Sequence, residues 1–183
     1  MSGDQVDQLL QEYTRQLGLP WTKNLAGPQR VWMVVYDPKL ERRLRLRLEE
    51  FAIETREAHR SWVLVDLTGS FADWLAGNEY RDAYFADPEL LAGALGSFAD
   101  SLAERVTAAL TDPSADDNAV VAILGAGALF PMARVSELVD RVAPAIRGRL
   151  LVFFPGHLDG SNYRLLDARD GWSYLAVPIT TGG

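Results

Sequence analysis

Four short apolar runs set the terms on which this chain can fold: VWMVVY at 31–36, WVLVDL at 62–67, AVVAILG at 119–125 and RLLVFF at 149–154. They are rich in β-branched and aromatic residues and apolar at nearly every position instead of at alternate ones. Strands buried on both faces read this way, as in parallel sheets. Between them apolar residues recur at helical spacing. Val6, Leu9, Leu10, Tyr13 and Leu17 form one stripe over 4–17, and Leu40, Leu44, Leu48 and Phe51 another over 39–58. Leu91, Leu95, Phe98, Leu102 and Val106 mark a helix over 88–110, and Met132, Val135, Leu138, Val139 and Val142 one over 132–143. A short helix is expected near 71–77, while 78–88 shows no period. Alternating strands and helices predict a three-layer α/β fold, a mainly parallel sheet with helices on both faces. At 183 residues the chain is expected to be a single domain, 1–183. YRLLD and WSYLAVPI are expected to close it as an antiparallel edge hairpin over 163–179, turning at Ala168–Gly171.

Composition removes several function classes. There is no cysteine, so no disulfide framework, thiol nucleophile or iron–sulfur cluster is available. Only His59 and His157 exist, too few for a histidine-rich metal centre. No apolar run approaches the ~20 residues of a membrane span, and MSGDQVDQLLQEY has neither the basic nor the apolar region of a signal peptide. A cytoplasmic location is expected. The net charge is −7, and it is uneven: residues 61–118 hold eleven acids against Arg81 and Arg105. Affinity for nucleic acid rests mainly on neutralised phosphates, so non-specific DNA binding is not expected. The four arginines at 42, 43, 45 and 47 read as a solvated helix face with Glu41, Glu49 and Glu50 as partners, in preference to a phosphate patch.

Ligands of parallel sheets bind beyond the C-terminal ends of the strands. The segments there are Tyr36-Asp37-Pro38, Asp66 to Ser70, Gly125 to Pro131 and Pro155 to Asn162. Gly125-Ala126-Gly127 follows a strand and precedes a helix, the place of a phosphate cradle. However, the stretch GAGALFPMAR lacks the lysine and Ser/Thr of a P-loop, and position 130 is Phe where a dinucleotide fingerprint wants glycine. A tight strand-to-helix turn is the plainer reading. Asp37 and Asp66 end apolar strands as a magnesium ligand would, but without a P-loop they read as cap and turn residues. His157, Asp159 and Ser161 share a segment read as an exposed polar loop, 155–162. With Ser70 or Ser136 they do not make a triad, because no G-x-S-x-G elbow is present. No catalytic residue, metal ligand or cofactor is assigned.

Two stretches resemble a known family: Leu124-Gly125-Ala126-Gly127-Ala128-Leu129-Phe130-Pro131-Met132-Ala133-Arg134, and Phe153-Phe154-Pro155-Gly156-His157-Leu158-Asp159-Gly160 running on to Leu165 and Tyr174. They are similar, in order and near the C-terminus, to the G-x-G-x-x-[YF]-P-x-x-R and F-F-P-G-x-x-D-G patterns of the BrxB family of bacteriophage exclusion (BREX) systems. The resemblance covers about residues 5–178. It departs from the family at Ser136, His157-Leu158 and Leu165-Leu166-Asp167. What it implies is a non-catalytic accessory or assembly subunit acting through protein contacts, with the phosphatase-like protein PglZ as the expected partner. A homo-oligomer is compatible with it. The residues it singles out are Gly125, Gly127, Pro131, Arg134, Pro155, Gly156, Asp159 and Gly160. The competing class is a nucleotide- or metal-binding enzyme or sensor using the same strand edge. On either reading the Gly125–Arg134 turn and the Pro155–Gly160 segment should lie side by side, with Arg134 reaching Asp159.

Overall fold

All four apolar runs are strands, and all four run parallel. In the computed structural model, which describes residues 4–168 and 171–182, they are β1 (Val31–Tyr36), β2 (Ser61–Asp66), β3 (Ala119–Leu124) and β4 (Arg149–Asp159). The order across the sheet is β2-β3-β4-β1, and β7 (Val177–Ile179) adds a fifth parallel strand beside β1. Two short strands, β5 (Asn162–Leu165) and β6 (Trp172–Ser173), extend it antiparallel: β5 folds back on the far end of β4, and β6 pairs with β5. Among the described residues the sheet is therefore mixed, with seven strands.

Side chains alternate across each strand, and two apolar clusters result. Val31, Met33 and Val35 of β1, with Val121, Ile123, Leu150, Val152 and Phe154, pack against Phe98, Leu102 and Val106 of α7 (Leu95–Thr111) and Leu138, Val139 and Val142 of α8 (Val135–Val142). Trp32, Val34 and Tyr36, with Leu151 and Phe153, pack against Val6, Leu9, Tyr13 and Leu17 of α1 (Gln5–Leu17) and Phe51 of α3 (Leu48–Glu57). Asp4 caps α1 by accepting from the Val6 amide at 3.2 Å. Asp37 caps the turn Pro38–Leu40 through the Lys39 amide at 2.9 Å, as its position before Pro38 implies.

Several boundaries differ from expectation for local reasons. The helix over 39–58 breaks at Arg47, giving α2 (Glu41–Leu46) and α3. The 88–110 helix divides into α6 (Glu89–Ala92) and α7, with Gly93, a poor helix former, between them. The aperiodic 78–88 segment holds a short helix, α5 (Arg81–Ala86). After β2, α4 (Ser70–Ala76) matches the expected short helix. β2 is not a fully buried strand: it lies at the sheet edge, and Leu64 is exposed. The segment 155–162 is not a loop, because β4 runs on to Asp159 and turns directly into β5. The expected 163–179 hairpin divides, since β6 pairs with β5 while β7 leaves to lie parallel to β1. Its Ala168–Gly171 turn falls partly outside the described residues.

One polar pair lies inside the α1–α3 contact. The Thr55 hydroxyl donates to the Phe51 carbonyl at 2.6 Å, which leaves the Tyr13 hydroxyl to donate to Thr55 Oγ1 at 2.6 Å. Both residues are fully buried. Removing the acceptor strands a buried hydroxyl, whereas removing the donor strands nothing. Thr55→Val is expected to cost about 1–3 kcal/mol of stability, and Tyr13→Phe less. Urea denaturation of the two variants side by side checks the order.

Candidate partner-binding site

The two family-like stretches meet at the C-terminal edge of the sheet. Beyond β3, Gly125 takes φ +88, and a Cβ there would lie 2.5 Å from the Thr68 amide nitrogen, so only glycine fits. A turn at Ala126–Leu129 follows. It lays Gly127 against Pro155, where a Cβ would stand 3.1 Å from the proline Cγ. On the other side, pairing of β4 with β1 ends at Tyr36 opposite Pro155, which has no N–H to offer. The Pro155 carbonyl instead accepts from the Leu166 amide at 2.8 Å. At Gly156 a Cβ would fall 2.0 Å from the Arg164 carbonyl oxygen of β5. Gly160, at φ +62, starts the two-residue turn between the Asp159 and Asn162 partners. The expected juxtaposition is therefore present. What three of the four motif glycines accommodate is other parts of the chain.

Arg134 and Asp159 do not meet. Phe154 and Leu158 pack with the α7–α8 cluster, so alternation along β4 turns His157 and Asp159 to the opposite face. Arg134 precedes α8 as its cap residue, exposed, with Nε 3.9 Å from Glu137 Oε1. Asp159 Oδ2 lies 3.9 Å from Arg164 Nε.

On the α8 side is a groove of about 380 Å³, lined by Phe130, Pro131, Arg134, Phe154, Tyr163 and Trp172 among others. Its floor is a run of aromatic contacts, Phe154 to Tyr163 at 5.7 Å and Tyr163 to Trp172 at 6.0 Å between ring centres; the run continues outside the groove lining from Trp172 to Tyr174 at 4.3 Å. Burial pushes the Tyr163 phenol up to about 12. Tyr174 is also held at about 12, by burial and then by the charge of Asp140. Phe130 stands at the rim, 50% exposed. The arrangement can bind apolar and aromatic side chains, and the Tyr163 phenol in it stays neutral at physiological pH.

On the opposite face Tyr36, Asp37, His157, Asp159 and Arg164 line an open cleft of about 520 Å³. Among the described residues, no group of three or more His, Asp or Glu could hold a metal ion. Asp66 is used in its own turn, accepting from the Thr68 amide at 3.0 Å and from the Thr68 hydroxyl. Burial pushes its carboxyl up, but Thr68 and the Arg45 charge outweigh that and leave it below the usual range. Ser161 faces Ser173 Oγ at 3.3 Å, and Ser70 accepts from Arg105. Of the arginine run, Arg43 pairs with Asp4, Arg45 with Glu41 and Asp66, and Arg47 with Asp4, Asp7 and Glu50. The ion-paired part of the expectation holds for these three, but only Arg43 is solvated, Arg45 and Arg47 being half-buried, and Asp4 and Asp7 at the start of α1 supply carboxylates the helix itself did not suggest. In the acidic middle, Phe71 and Trp74 pack on Phe98. Tyr80, Phe85 and Leu90 are exposed.

Comparison with protein families adds one finding. The family model described as "BREX protein BrxB" matches residues 83–179, more than half of the chain. The chain belongs to the BrxB family. It is thus a component of a BREX phage-defence system. The matched region contains all eight family-motif residues and the six groove residues named above. No curated protein and no solved structure matches the chain. Among the described residues no helix is long and apolar enough to cross a membrane.

Sequence reasoning did not assign Phe154, Tyr163 and Trp172 to a site. The signal was there in NYRL and WSY: Tyr163, Leu165 and Trp172 turn to the Phe154 side, which a loop reading of 155–162 hides. Gly156→Ala forces Cβ into backbone and is expected to cost about 1–3 kcal/mol or more. Gly160→Ala has open space around it and meets only the penalty of positive φ, about 1–2 kcal/mol. Thermal denaturation of both variants tests that order.

Proposed function

We propose that this chain, as one three-layer α/β domain, is a non-catalytic assembly subunit of its BREX system and docks PglZ through the groove beside α8. The observation that carries the reading is the half-exposed Phe130 at the mouth of an aromatic-floored groove built from family-matched residues. Interfaces concentrate their energy in such aromatic anchors and pockets, rimmed by polar groups. Arg134 and Glu137 supply a charged rim here. The motif glycines support the same reading, because they fit the turn to Pro155 and β4 to β5. The acidic segment 61–118, with Tyr80, Phe85 and Leu90 exposed on it, adds a field that speeds encounter with a basic surface.

Co-purification with separately expressed PglZ at two salt concentrations is the test. Capture at low salt, weaker at high salt, is expected. Phe130→Asp, at a solvent-facing position, is expected to weaken capture about tenfold or more with no loss of thermal stability. No capture of PglZ at low salt would remove the assembly role, and undiminished capture by Phe130→Asp would move the interface elsewhere.

A further inference from the structure

The opposite end of the sheet carries a different chemistry. An arginine stands at the entrance of three of the four core strands: Arg30 before β1, Arg60 before β2 and Arg149 at the head of β4, with Asn118 before β3. Parallel pairing brings these positions to one edge. Arg60, Arg149 and Asn118, but not Arg30, line a pocket of about 510 Å³ there, together with Trp21, Lys23, Arg147 and one carboxylate, Asp117. Arg60 lies over the Trp21 ring at 3.6 Å from its centre, and Arg149 at 4.6 Å.

The guanidinium hydrogen bonds go to neutral oxygens. Arg30 donates to the carbonyls of Ile146 and Lys23, Arg147 to those of Leu110 and Asp112, and Arg149 to those of Gly148 and Thr22. Arg60 donates to the Asn118 side-chain oxygen. Among the described residues no carboxylate lies within ion-pair distance of any of these four arginines. Lys23 alone reaches one, Asp117 at 3.6 Å. Arg149 is only 6% exposed. Arg60 Nε and Trp21 Nε1 are buried donors without an acceptor. Burial holds the Arg149 guanidinium below its ordinary range, and the charges of Arg30 and Arg60 lower it further. The contrast with Arg43, Arg45 and Arg47, each ion-paired, is what sets this cluster apart.

We propose that this pocket binds a small phosphate ligand of the diphosphate class, held by Arg60, Arg149, Arg147 and Lys23. Arginine forks match phosphate oxygens bidentately, and the volume suits a small molecule and not a macromolecular surface. With two guanidiniums over Trp21 and Trp32 edge-on to it at 5.6 Å, its faces are not open for stacking a base. Recognition is therefore by charge, and the ligand's diphosphate is free or carried on a nucleotide. The overall net charge of −7 disfavours a longer polyanion. This inference does not rest on the docking of PglZ.

Isothermal titration of the full chain with pyrophosphate, ADP, a short oligothymidylate and a glutamate-rich peptide, at matched ionic strength, is the test. Saturable binding of pyrophosphate is expected, with ADP within a few fold of it. Arg60→Gln is expected to weaken binding about tenfold or more, the loss of a charge-assisted contact. Lys23→Gln, at an exposed position, provides the same comparison should Arg60→Gln fail to fold. No binding of pyrophosphate or ADP would overturn the proposal, as would affinity unchanged in both variants. Tighter binding of the oligothymidylate or the peptide would overturn it in favour of a macromolecular partner.

Discussion

The pairing of β4 with both β1 and β3 is the constraint on which the remaining structure depends. Leu150, Leu151, Val152 and Phe153 are completely buried, in contact with helices on alternate sides. Phe153 meets Phe51 edge-on at 5.2 Å, which fixes α3. Phe154 starts the aromatic run that floors the groove. A side-chain period of two allows no compromise. Once Leu150 and Val152 face α7 and α8, His157 and Asp159 must face away from Arg134. The site is thus divided by β4 into an apolar groove and a polar cleft.

The four core strands were legible because they are apolar at nearly every position, and the helical stripes were legible because their buried residues recur at 3.6. The sequence did not reveal where each strand sits. WVLVDL reads like the others, yet β2 is an edge strand with Leu64 in solvent. Nor did local composition show that Pro155, Gly156 and Gly160, all turn-forming residues, occupy a strand and a two-residue turn. Glycine there answers a neighbour's approach, the Arg164 carbonyl at Gly156, and such a contact exists only in three dimensions. The arginines at the strand entrances escaped notice for a similar reason. Arg30, Arg60 and Arg149 are far apart in the chain, and parallel pairing alone gathers them.

The family patterns take on physical content from this. Gly125 admits Thr68, Gly127 admits Pro155, and Gly156 admits β5. Each pattern is the imprint of one segment on another, which explains why the two occur together and in one order. The side chains they leave exposed, Phe130 and Arg134, are those at the rim of the groove.

β4 also has a length. From Arg149 to Phe154, where the groove floor begins, is five steps of extended chain, about 17 Å, so the strand is a strut with an arginine-rich foot and an aromatic head. Anything seated on the head is separated from the foot by the buried stretch Leu150–Phe153. The two ends can then be occupied at the same time without touching, and a partner held at one end leaves the other turned outward to a different component.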